Sequence, residues 1–180
     1  MDDRDPEAFR ALYRAHYRAV CRYLAVRADR GVVEDVAAET FLVAWRRQGD
    51  VPRHALPWLL NTAGKCLANQ RRSSERSAAL VERLARVTAR AAEDDLAQAG
   101  RRRALVAALA SLPEGDRELL LLRHWDGLAP RDVAAAVGLG PVAARTRLHR
   151  AGRRLQRALG TALEDEGVDP PRNAELLEPA

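Results

Sequence analysis

Apolar residues recur every three or four positions along almost the whole chain, which is the spacing of one face of an α-helix. No stretch alternates apolar and polar residues with the β-branched content that is typical of strands. Alanine, leucine, arginine and glutamate are abundant, and all four are good helix formers. The sequence therefore predicts an all-α fold.

The first half of the chain predicts three helices. Asp5-Pro6 is typical of an N-cap followed by proline at the first helical position, and a second helix is expected at about 33–48. Pro57 again suits a first helical position, so a third helix is expected to run to about Arg72. The apolar positions expected to be buried are Phe9, Leu12, Tyr13, Val20, Leu24, Val36, Phe41, Val43 or Ala44, Leu60, Ala63 and Leu67.

The second half predicts four more helices, at about 102–111, 114–125, 130–137 and 141–159. Seven of the eight aromatic residues lie before residue 60, which predicts an aromatic-rich core in the first half and a separate Ala/Leu/Val core in the second. We therefore expect two small, weakly coupled helical domains joined by a flexible linker, the second a helix-turn-helix domain. The expected boundaries are 1–76, a linker at 77–103, 104–160 and an acidic, disordered tail at 161–180.

Charge is unevenly distributed along the chain. There are 30 Lys+Arg against 25 Asp+Glu, a net charge of +5, but residues 160–180 contain six acids and one arginine. A basic body with an acidic tail favours a polyanionic partner such as nucleic acid. The alternative interpretation is that surface arginines only keep an alanine-rich protein soluble.

Several classes of protein are excluded by the sequence. No apolar run approaches the roughly 18–20 residues that span a bilayer, and the first residues do not form a secretory signal. Cys21 and Cys66 are too few for a disulfide framework, so a cytoplasmic protein is expected. The sequence has no Gly-rich phosphate loop, no metal-spaced His/Cys cluster and no nucleophile motif. We therefore expect that the protein is not an enzyme and has no catalytic residue or small-molecule substrate. We also expect that it binds no metal, cofactor or membrane.

Residues 128–158 have the outline of a helix-turn-helix motif. Its turn contains Gly138, which can adopt the left-handed conformation that ends a helix, and its longer helix begins at Pro141. From Pro141 to Ala158 the longer helix has six arginines, no acid and a compact apolar stripe. Because phosphate neutralises such a run of positive charge, this helix is predicted to bind nucleic acid. A solvated basic helix is the alternative.

A helical wheel divides the polar residues of this last helix into two groups. One group lies opposite the apolar stripe near the N-terminal end, from where it can reach base edges in a major groove: Arg145, Thr146, His149 and Arg150. Arg147 and Arg154 lie at the flank and are expected to contact phosphates.

The helix predicted at 57–72 has a polar stripe that combines amides with cations. Asn61, Lys65, Asn69 and Arg72 follow one another at intervals of four, four and three residues, and the stripe begins beside Trp58. Single-stranded DNA requires neutralised phosphates and groups that hold an unstacked base, which this stripe offers. A polar face exposed to solvent is the alternative.

The helix predicted at 33–48 begins with acidic residues. Glu34 and Asp35 lie near its N-terminus, where the helix dipole favours negative charge, and Asp35 shares a face with Glu39. These carboxylates either stabilise the helix or bind a basic protein partner, and their spacing does not decide between the two.

Taken together, the chain resembles the extracytoplasmic-function (ECF) sigma factors, a two-domain class of bacterial RNA polymerase specificity subunits. The resemblance is carried by EDVAAETFLVAW (34–45), PWLLNTAGKCLANQRR (57–72) and SLPEGDRELLLLRHWDGLAPRDVAAAVGLGPVAARTRLHRAGRRL (111–155), in the order that the family has them. The third segment is the most specific, because it extends well beyond a generic helix-turn-helix pattern. The resemblance implies promoter-specific transcription initiation by core RNA polymerase.

The resemblance also implies which residues bind which partner. The residues that match the segment docking on the coiled coil of the polymerase β′ subunit are Asp35, Glu39, Thr40 and Trp45. The loop 49–56 and the next helix resemble the part that captures a flipped base and melts the −10 element, with Trp58, Asn61, Lys65, Asn69, Arg71 and Arg72. The last helix resembles the reader of the −35 element, with Arg145, Thr146, His149 and Arg150 at its reading positions. The resemblance also implies contact with the β subunit of the polymerase and an anti-sigma factor as a partner. It further implies that the protein is at the nucleoid when it is active.

Two other functions remain open at this point. A stand-alone helix-turn-helix regulator would bind duplex DNA without polymerase, although such proteins usually dimerise and the sequence has no long dimer seam. A sigma-like decoy would bind an anti-sigma factor without DNA, which the dense arginine face argues against. The acidic tail is expected either to fold back on basic surfaces or to act only as a solubilising extension.

Overall fold

The computed structural model of the chain describes residues 5–73, 96–165 and 167. Within these ranges it contains seven α-helices and no strand, so the predicted all-α class is confirmed. The helices are α1 (Pro6–Ala25), α2 (Arg30–Arg46), α3 (Ala55–Ser73), α4 (Leu96–Ser111), α5 (Glu114–Leu120), α6 (Pro130–Val137) and α7 (Pro141–Asp165). A π-helical turn, Leu121–Trp125, extends α5. None of the helices in the described ranges is long and apolar enough to cross a membrane.

Helix α1 begins as the sequence predicts. The Asp5 carboxylate accepts hydrogen bonds from the backbone N–H groups of Glu7 and Ala8, at 2.8 and 3.2 Å. These are two of the donors that every helix leaves without an intrahelical partner at its N-terminus. Pro6 follows as the first helical residue. The distant Gln48 also bonds the backbone of Asp5, with its Oε1 accepting from the Asp5 N–H at 3.0 Å and its Nε2 donating to the Asp5 carbonyl at 2.8 Å.

The buried face of α1 differs from the prediction at three residues, because Phe9 and Leu12 are half-buried and Tyr13 is exposed. Val20 and Leu24 are fully buried as predicted, but Tyr13 is 37% exposed. The ring of Tyr13 lies at the rim of the helical bundle, with its centroid 4.8 Å from those of Tyr17 and Phe41. A tyrosine can pack one side of its ring there and keep its hydroxyl in water, which a wheel of apolar positions does not distinguish from full burial.

Helices α2 and α3 begin slightly earlier than predicted, at Arg30 and Ala55. Pro57 therefore lies within the first turn of α3, where its missing N–H has no helical partner to lose. The predicted inner positions are confirmed, because the following residues are buried: Val36, Phe41, Ala44, Leu60, Ala63 and Leu67.

Two helices extend past the boundaries that composition suggests. Helix α4 begins at Leu96, inside the segment 77–103 predicted as linker, and α7 continues to Asp165, past its predicted end at about 159. Gly160 does not stop α7, because one glycine costs a helix only about 1 kcal/mol and the next turn buries Leu163. The rest of the predicted linker, through residue 95, and the predicted tail from 168 onward lie outside the described residues.

The helix-turn-helix turn has the geometry that its glycine predicts. Gly138 follows α6 with φ +70°, in the left-handed region that glycine adopts without steric cost. The Leu139 N–H donates to the Ala134 carbonyl at 2.9 Å, and the Gly138 N–H donates to the Ala135 carbonyl at 3.3 Å. This pair of bonds ends α6 and directs the chain into α7.

The apolar cores of the two halves are joined, contrary to the prediction of a separate core in each half. One apolar cluster combines residues of α1–α3, such as Leu24 and Leu59, with Leu122 and Val133 from the second half. A smaller cluster, which includes Leu120, Ala151 and Leu155, consists of residues of the second half. Composition predicts that each half has an apolar interior, but it does not show that apolar faces of the two halves meet each other.

Candidate nucleic-acid interface

Helix α7 exposes the polar face that the helical wheel predicts. Ala144, Ala151 and Leu155 are buried against the preceding helices. The predicted reading residues all lie on the exposed side: Arg145, Thr146, His149 and Arg150. Because they lie within the first three turns of α7 and no acid occurs between Pro141 and Ala158, this face is basic and accessible. It can place arginine donors against guanine edges in a major groove.

The two flanking arginines of α7 pair with a buried carboxylate. Arg147 Nε lies 3.2 Å from Asp116 Oδ1, and Arg154 Nη1 pairs with Asp116 Oδ2. The Asp116 side chain is only 5% exposed, whereas those of Arg147 and Arg154 are 48% and 50% exposed. We call these three residues the Asp116 cluster. Sequence analysis missed Asp116, since an acid in the first turn of a helix is ordinary and its partners lie more than thirty residues away.

The polar stripe of α3 is divided between a covered and an open part. Asn61 is partly buried, and its Nδ2 donates to the Ala136 carbonyl of α6 at 2.6 Å. Lys65 and Asn69 are exposed, and Trp58 is half-buried against the shared core. The side chains of Arg71 and Arg72 lie outside what the structure describes. In this arrangement α6 therefore covers the first member of the stripe, while the next two are exposed to solvent.

The predicted polymerase-docking residues on α2 are also divided. Asp35 and Glu39 are exposed. Thr40 is fully buried and its hydroxyl donates to the Val36 carbonyl at 2.7 Å, so in this arrangement Thr40 supports the helix from inside. Trp45 is half-buried, with its ring 5.1 Å from that of Phe9. Leu42, three residues after Glu39, is 44% exposed, and the wheel could have identified it as an apolar residue on the acidic face.

A second ion cluster joins the two halves of the molecule. Arg27 Nε lies 2.7 Å from Glu118 Oε2, and Arg27 Nη2 lies 3.0 Å from Asp126 Oδ2. The Arg27 guanidinium also lies over the ring of Tyr23, 3.8 Å from its centroid. We call these four residues the Arg27 cluster. It was not predicted, because Glu118 and Asp126 lie 91 and 99 positions away from Arg27 in the sequence.

Burial and charge act in opposite directions within the Arg27 cluster. Burial raises the pKa of Asp126 above its usual value, and the opposing effect of Arg27 does not offset it. Burial alone would lower the pKa of Arg27, but Glu118, Tyr23 and Asp126 together raise it. Asp126 Oδ1 is buried without a hydrogen-bond partner among the described residues. The cluster therefore holds a charged arginine between two carboxylates at a considerable desolvation cost.

Comparison with known proteins identifies the second half first. Residues 102–155 match the family described as Sigma-70, region 4. The ECF RNA polymerase sigma factor SigL of Mycobacterium tuberculosis is 31% identical over 164 residues, which cover 88% of this chain and 90% of SigL. The chain belongs to the ECF RNA polymerase sigma factors. The predicted family is therefore confirmed, and the similarity that shows it includes both halves of the chain.

Another sigma factor and a probable one are also similar to this chain, to different extents. The RNA polymerase sigma factor CarQ of Myxococcus xanthus is 30% identical over 157 residues, covering 86% of this chain and 90% of CarQ. RfaY of Xanthomonas campestris pv. campestris is 34% identical over 136 residues, which cover 71% of this sigma factor but only 34% of RfaY. This chain thus spans about a third of RfaY and nearly the whole of SigL and CarQ.

Solved structures show the same fold as this sigma factor. CnrH, in complex with the cytosolic domain of CnrY, has a TM-score of 0.62 at 24% identity, covering 87% of this chain and 90% of CnrH. The sigma factor RpoE of Bartonella quintana, in complex with the anti-sigma factor NepR, has a TM-score of 0.59 at 20% identity, covering 86% and 98%. Among the described residues of this sigma factor, no group of three or more His, Cys, Asp and Glu side chains is placed to hold a metal ion.

Proposed function

We propose that this sigma factor directs promoter-specific transcription initiation by binding core RNA polymerase and contacting the −35 and −10 promoter elements. The observation that carries the proposal is the exposed face of α7, which has no acid from Pro141 to Ala158, within a chain of which 88% is matched by an ECF sigma factor. A binding role of this kind requires no catalytic residue of its own, and its place is in the cytoplasm, at the nucleoid during activity.

Recognition of the −35 element is assigned to the N-terminal half of α7. This half enters the major groove of duplex DNA, with Arg145, Thr146, His149 and Arg150 toward the bases. Arginine can grip guanine through two hydrogen bonds, and a good pair of this kind discriminates against the wrong base by about 1–3 kcal/mol. Arg147 and Arg154 contact phosphates from the flank.

Recognition and melting of the −10 element are assigned to α3. Lys65 neutralises phosphate, Asn61 and Asn69 hold an unstacked base, and Trp58, Arg71 and Arg72 flank them. The Asn61 side chain is bonded to the Ala136 carbonyl, so this bond has to break before Asn61 can contact DNA. The function therefore requires that α6 separate from α3 when the sigma factor binds the promoter.

Polymerase docking is assigned to the exposed face of α2. Asp35 and Glu39 offer negative charge to a basic surface of the β′ subunit, and Leu42 adds an apolar contact between them and Trp45. Thr40 contributes from the buried side of α2, where its hydroxyl donates to the Val36 carbonyl and supports the helix that carries this face. Contact with the β subunit completes the complex with core polymerase.

An anti-sigma factor is a further proposed partner. CnrH and the Bartonella RpoE, which share the fold, are described in complexes with CnrY and with the anti-sigma factor NepR. A stand-alone helix-turn-helix regulator is less well supported, since the similarity to SigL covers 88% of this chain and so extends far beyond the helix-turn-helix motif. A sigma-like decoy has no use for an exposed basic reading face.

Transcription by reconstituted holoenzyme tests the proposal. Core RNA polymerase with this chain is expected to initiate from a small subset of a randomised promoter library, whereas core polymerase alone selects none. The Arg150→Ala variant is expected to weaken selection at one or two −35 positions by about 1–3 kcal/mol while leaving core binding intact. If the chain binds DNA equally well without polymerase and supports no initiation, the stand-alone regulator is the correct function instead.

A further inference from the structure

A buried carboxylate lies directly beneath the proposed DNA-binding face. Asp116 is in the first turn of α5 and is 3% exposed as a residue, yet both its oxygens are used by arginines of α7. Arg147 and Arg154 are seven residues apart, almost two full turns, so they leave α7 in nearly the same direction, about 10 Å apart along its axis. The two side chains converge on Asp116 from either side.

The arginines keep most of their hydrogen-bonding capacity in this arrangement. A guanidinium group has five N–H donors, and each arginine uses one of them in its pair with Asp116. About half of each side chain remains exposed, on the flank of α7 that was assigned to phosphates. The Asp116 cluster therefore presents two guanidinium groups whose positions are fixed from below.

The residue before Asp116 leaves room for this arrangement. A Cβ atom at Gly115 would overlap Arg147 Nη2 and lie 3.2 Å from Arg147 Cζ. The guanidinium of Arg147 thus lies over the backbone of α5, in space that any side chain at 115 would take. Because glycine is a poor helix former, alanine at this position would favour the helix itself while displacing Arg147.

We propose that Asp116 is a positioning residue for −35 recognition, which fixes Arg147 and Arg154 as paired phosphate contacts and so sets the register of α7 in the groove. The inference rests on the proposed function of α7. Phosphate contacts carry no sequence information, but they decide where the base-reading residues lie. A held arginine also loses less side-chain freedom when DNA binds.

Asp116 also changes the balance between specific and sequence-independent binding. Its negative charge offsets one of the two positive charges beside it, which weakens attraction to any duplex. A fixed register strengthens binding only where the correct bases are present. The first effect lowers the affinity for the correct and the shuffled duplex alike, and the second raises the ratio between the two affinities, at little gain in total affinity.

The experiment must separate positioning from simple packing of α5 on α7. Three variants of the full chain, assembled with core RNA polymerase, are compared with wild type: Asp116→Asn, Asp116→Glu and Gly115→Ala. Glu164→Gln is the charge-matched control, because it also removes one negative charge from the α7 region but at an exposed position. The probes are a duplex selected by the wild-type holoenzyme from a randomised library and a shuffled duplex of the same composition, with thermal unfolding measured in parallel.

If Asp116 is a positioning residue, its replacement should reduce discrimination between the selected and the shuffled duplex without a matching fall in the unfolding temperature. The affinity ratio of selected to shuffled duplex should fall roughly five- to tenfold in Asp116→Asn, with the shuffled duplex bound as tightly as before or more tightly. Asp116→Glu should recover part of the ratio. Gly115→Ala should lower the ratio at an unfolding temperature no lower than that of wild type. Glu164→Gln should leave the ratio unchanged.

The opposite results would overturn the inference. If Asp116→Asn and Gly115→Ala keep the wild-type ratio within twofold, or if the ratio falls only as the unfolding temperature falls, Asp116 is a packing residue. If the wild-type holoenzyme itself selects no duplex, −35 reading by α7 is wrong and the inference falls with it. These two failures are distinguishable because the second one appears before any variant is made.

Discussion

The Arg27 cluster and the Asp116 cluster are built from the same chemistry in opposite ways. In the first, one arginine lies between two carboxylates, and its side chain and that of Asp126 are only 6% and 3% exposed. In the second, one buried carboxylate lies beneath two arginines that remain half exposed. Each cluster joins helices that are distant in the sequence, but only the second leaves its cations open to a further partner.

This difference separates holding the fold together from preparing a surface for binding. Fully buried ion pairs lose water on both sides, so removing one partner leaves an uncompensated charge and a large cost. Half-exposed arginines remain hydrated and contribute little to stability, yet they can release counterions when they meet phosphate. We expect the Arg27 cluster to govern stability and domain separation, and the Asp116 cluster to govern DNA binding.

The largest effect is expected from removal of the buried cation. Arg27→Met should destabilise the packing between the two halves by about 3–5 kcal/mol, because the buried negative charges of Glu118 and Asp126 are left without a compensating cation. The halves are expected to separate so that these carboxylates can be hydrated. Small-angle X-ray scattering should show an increased radius of gyration, and urea unfolding should begin at a lower concentration.

A rescue variant and an exposed control sharpen this result. Adding Asp126→Leu to Arg27→Met should recover part of the loss, since an apolar replacement for a buried ion pair is often neutral. Arg10→Met removes a pair with Glu7 in which both side chains are more than half exposed, and it should cost well under about 1 kcal/mol. Equal scattering curves for Arg27→Met, Arg10→Met and wild type would contradict the role of the Arg27 cluster.

The second effect is a pH dependence whose sign is set by Asp126. Burial raises the pKa of Asp126 in the folded protein above its unfolded value, which is near 3.9. Its contribution to stability is therefore fully present below the unfolded pKa and is lost as the pH rises through the folded pKa. Asp126→Asn removes this contribution, so the variant should lose more stability relative to wild type at about pH 4 than at pH 7.

Urea unfolding of wild type and Asp126→Asn at these two pH values measures the sign. Asp50→Asn is the control, because Asp50 pairs with Arg47 at an exposed site where both side chains are more than half accessible. A larger loss for Asp126→Asn at pH 7 would show that attraction to Arg27 outweighs burial. The Arg27 cluster would then resemble an ordinary stabilising salt bridge.

The smallest effect on stability is expected from the Asp116 cluster. Arg154→Ala should change the free energy of unfolding by about 0–1 kcal/mol, since its side chain is half exposed and Asp116 keeps Arg147. The same variant should reduce the slope of log affinity against log salt for duplex DNA by about one. Salt titration of DNA binding by the holoenzyme and urea unfolding measure the two effects. A large loss of stability with an unchanged salt slope would contradict the contrast between the two clusters.

Much of the fold follows from local features of the sequence. The side-chain cap of α1 is formed by Asp5 and the next three residues, and the turn before α7 is formed around Gly138. The exposed face of α7 follows from helical spacing, because residues three, four and seven apart share a side of any helix. These features depend on contacts within one or two turns, which a linear pattern contains.

Other features depend on contacts between distant segments, and only the tertiary structure decides them. A helical wheel treats Asn61 and Lys65 as equal members of one stripe, but α6 covers the first and leaves the second exposed. Thr40 belongs to the docking motif by sequence and lies inside the bundle by structure. Arg27 and Asp116 meet partners 91 and 31 residues away in Glu118 and Arg147, and no local spacing encodes such pairs. The sequence by itself thus determined the helices and their polar faces, while the packing of one helix on another decided which polar groups remain free to bind.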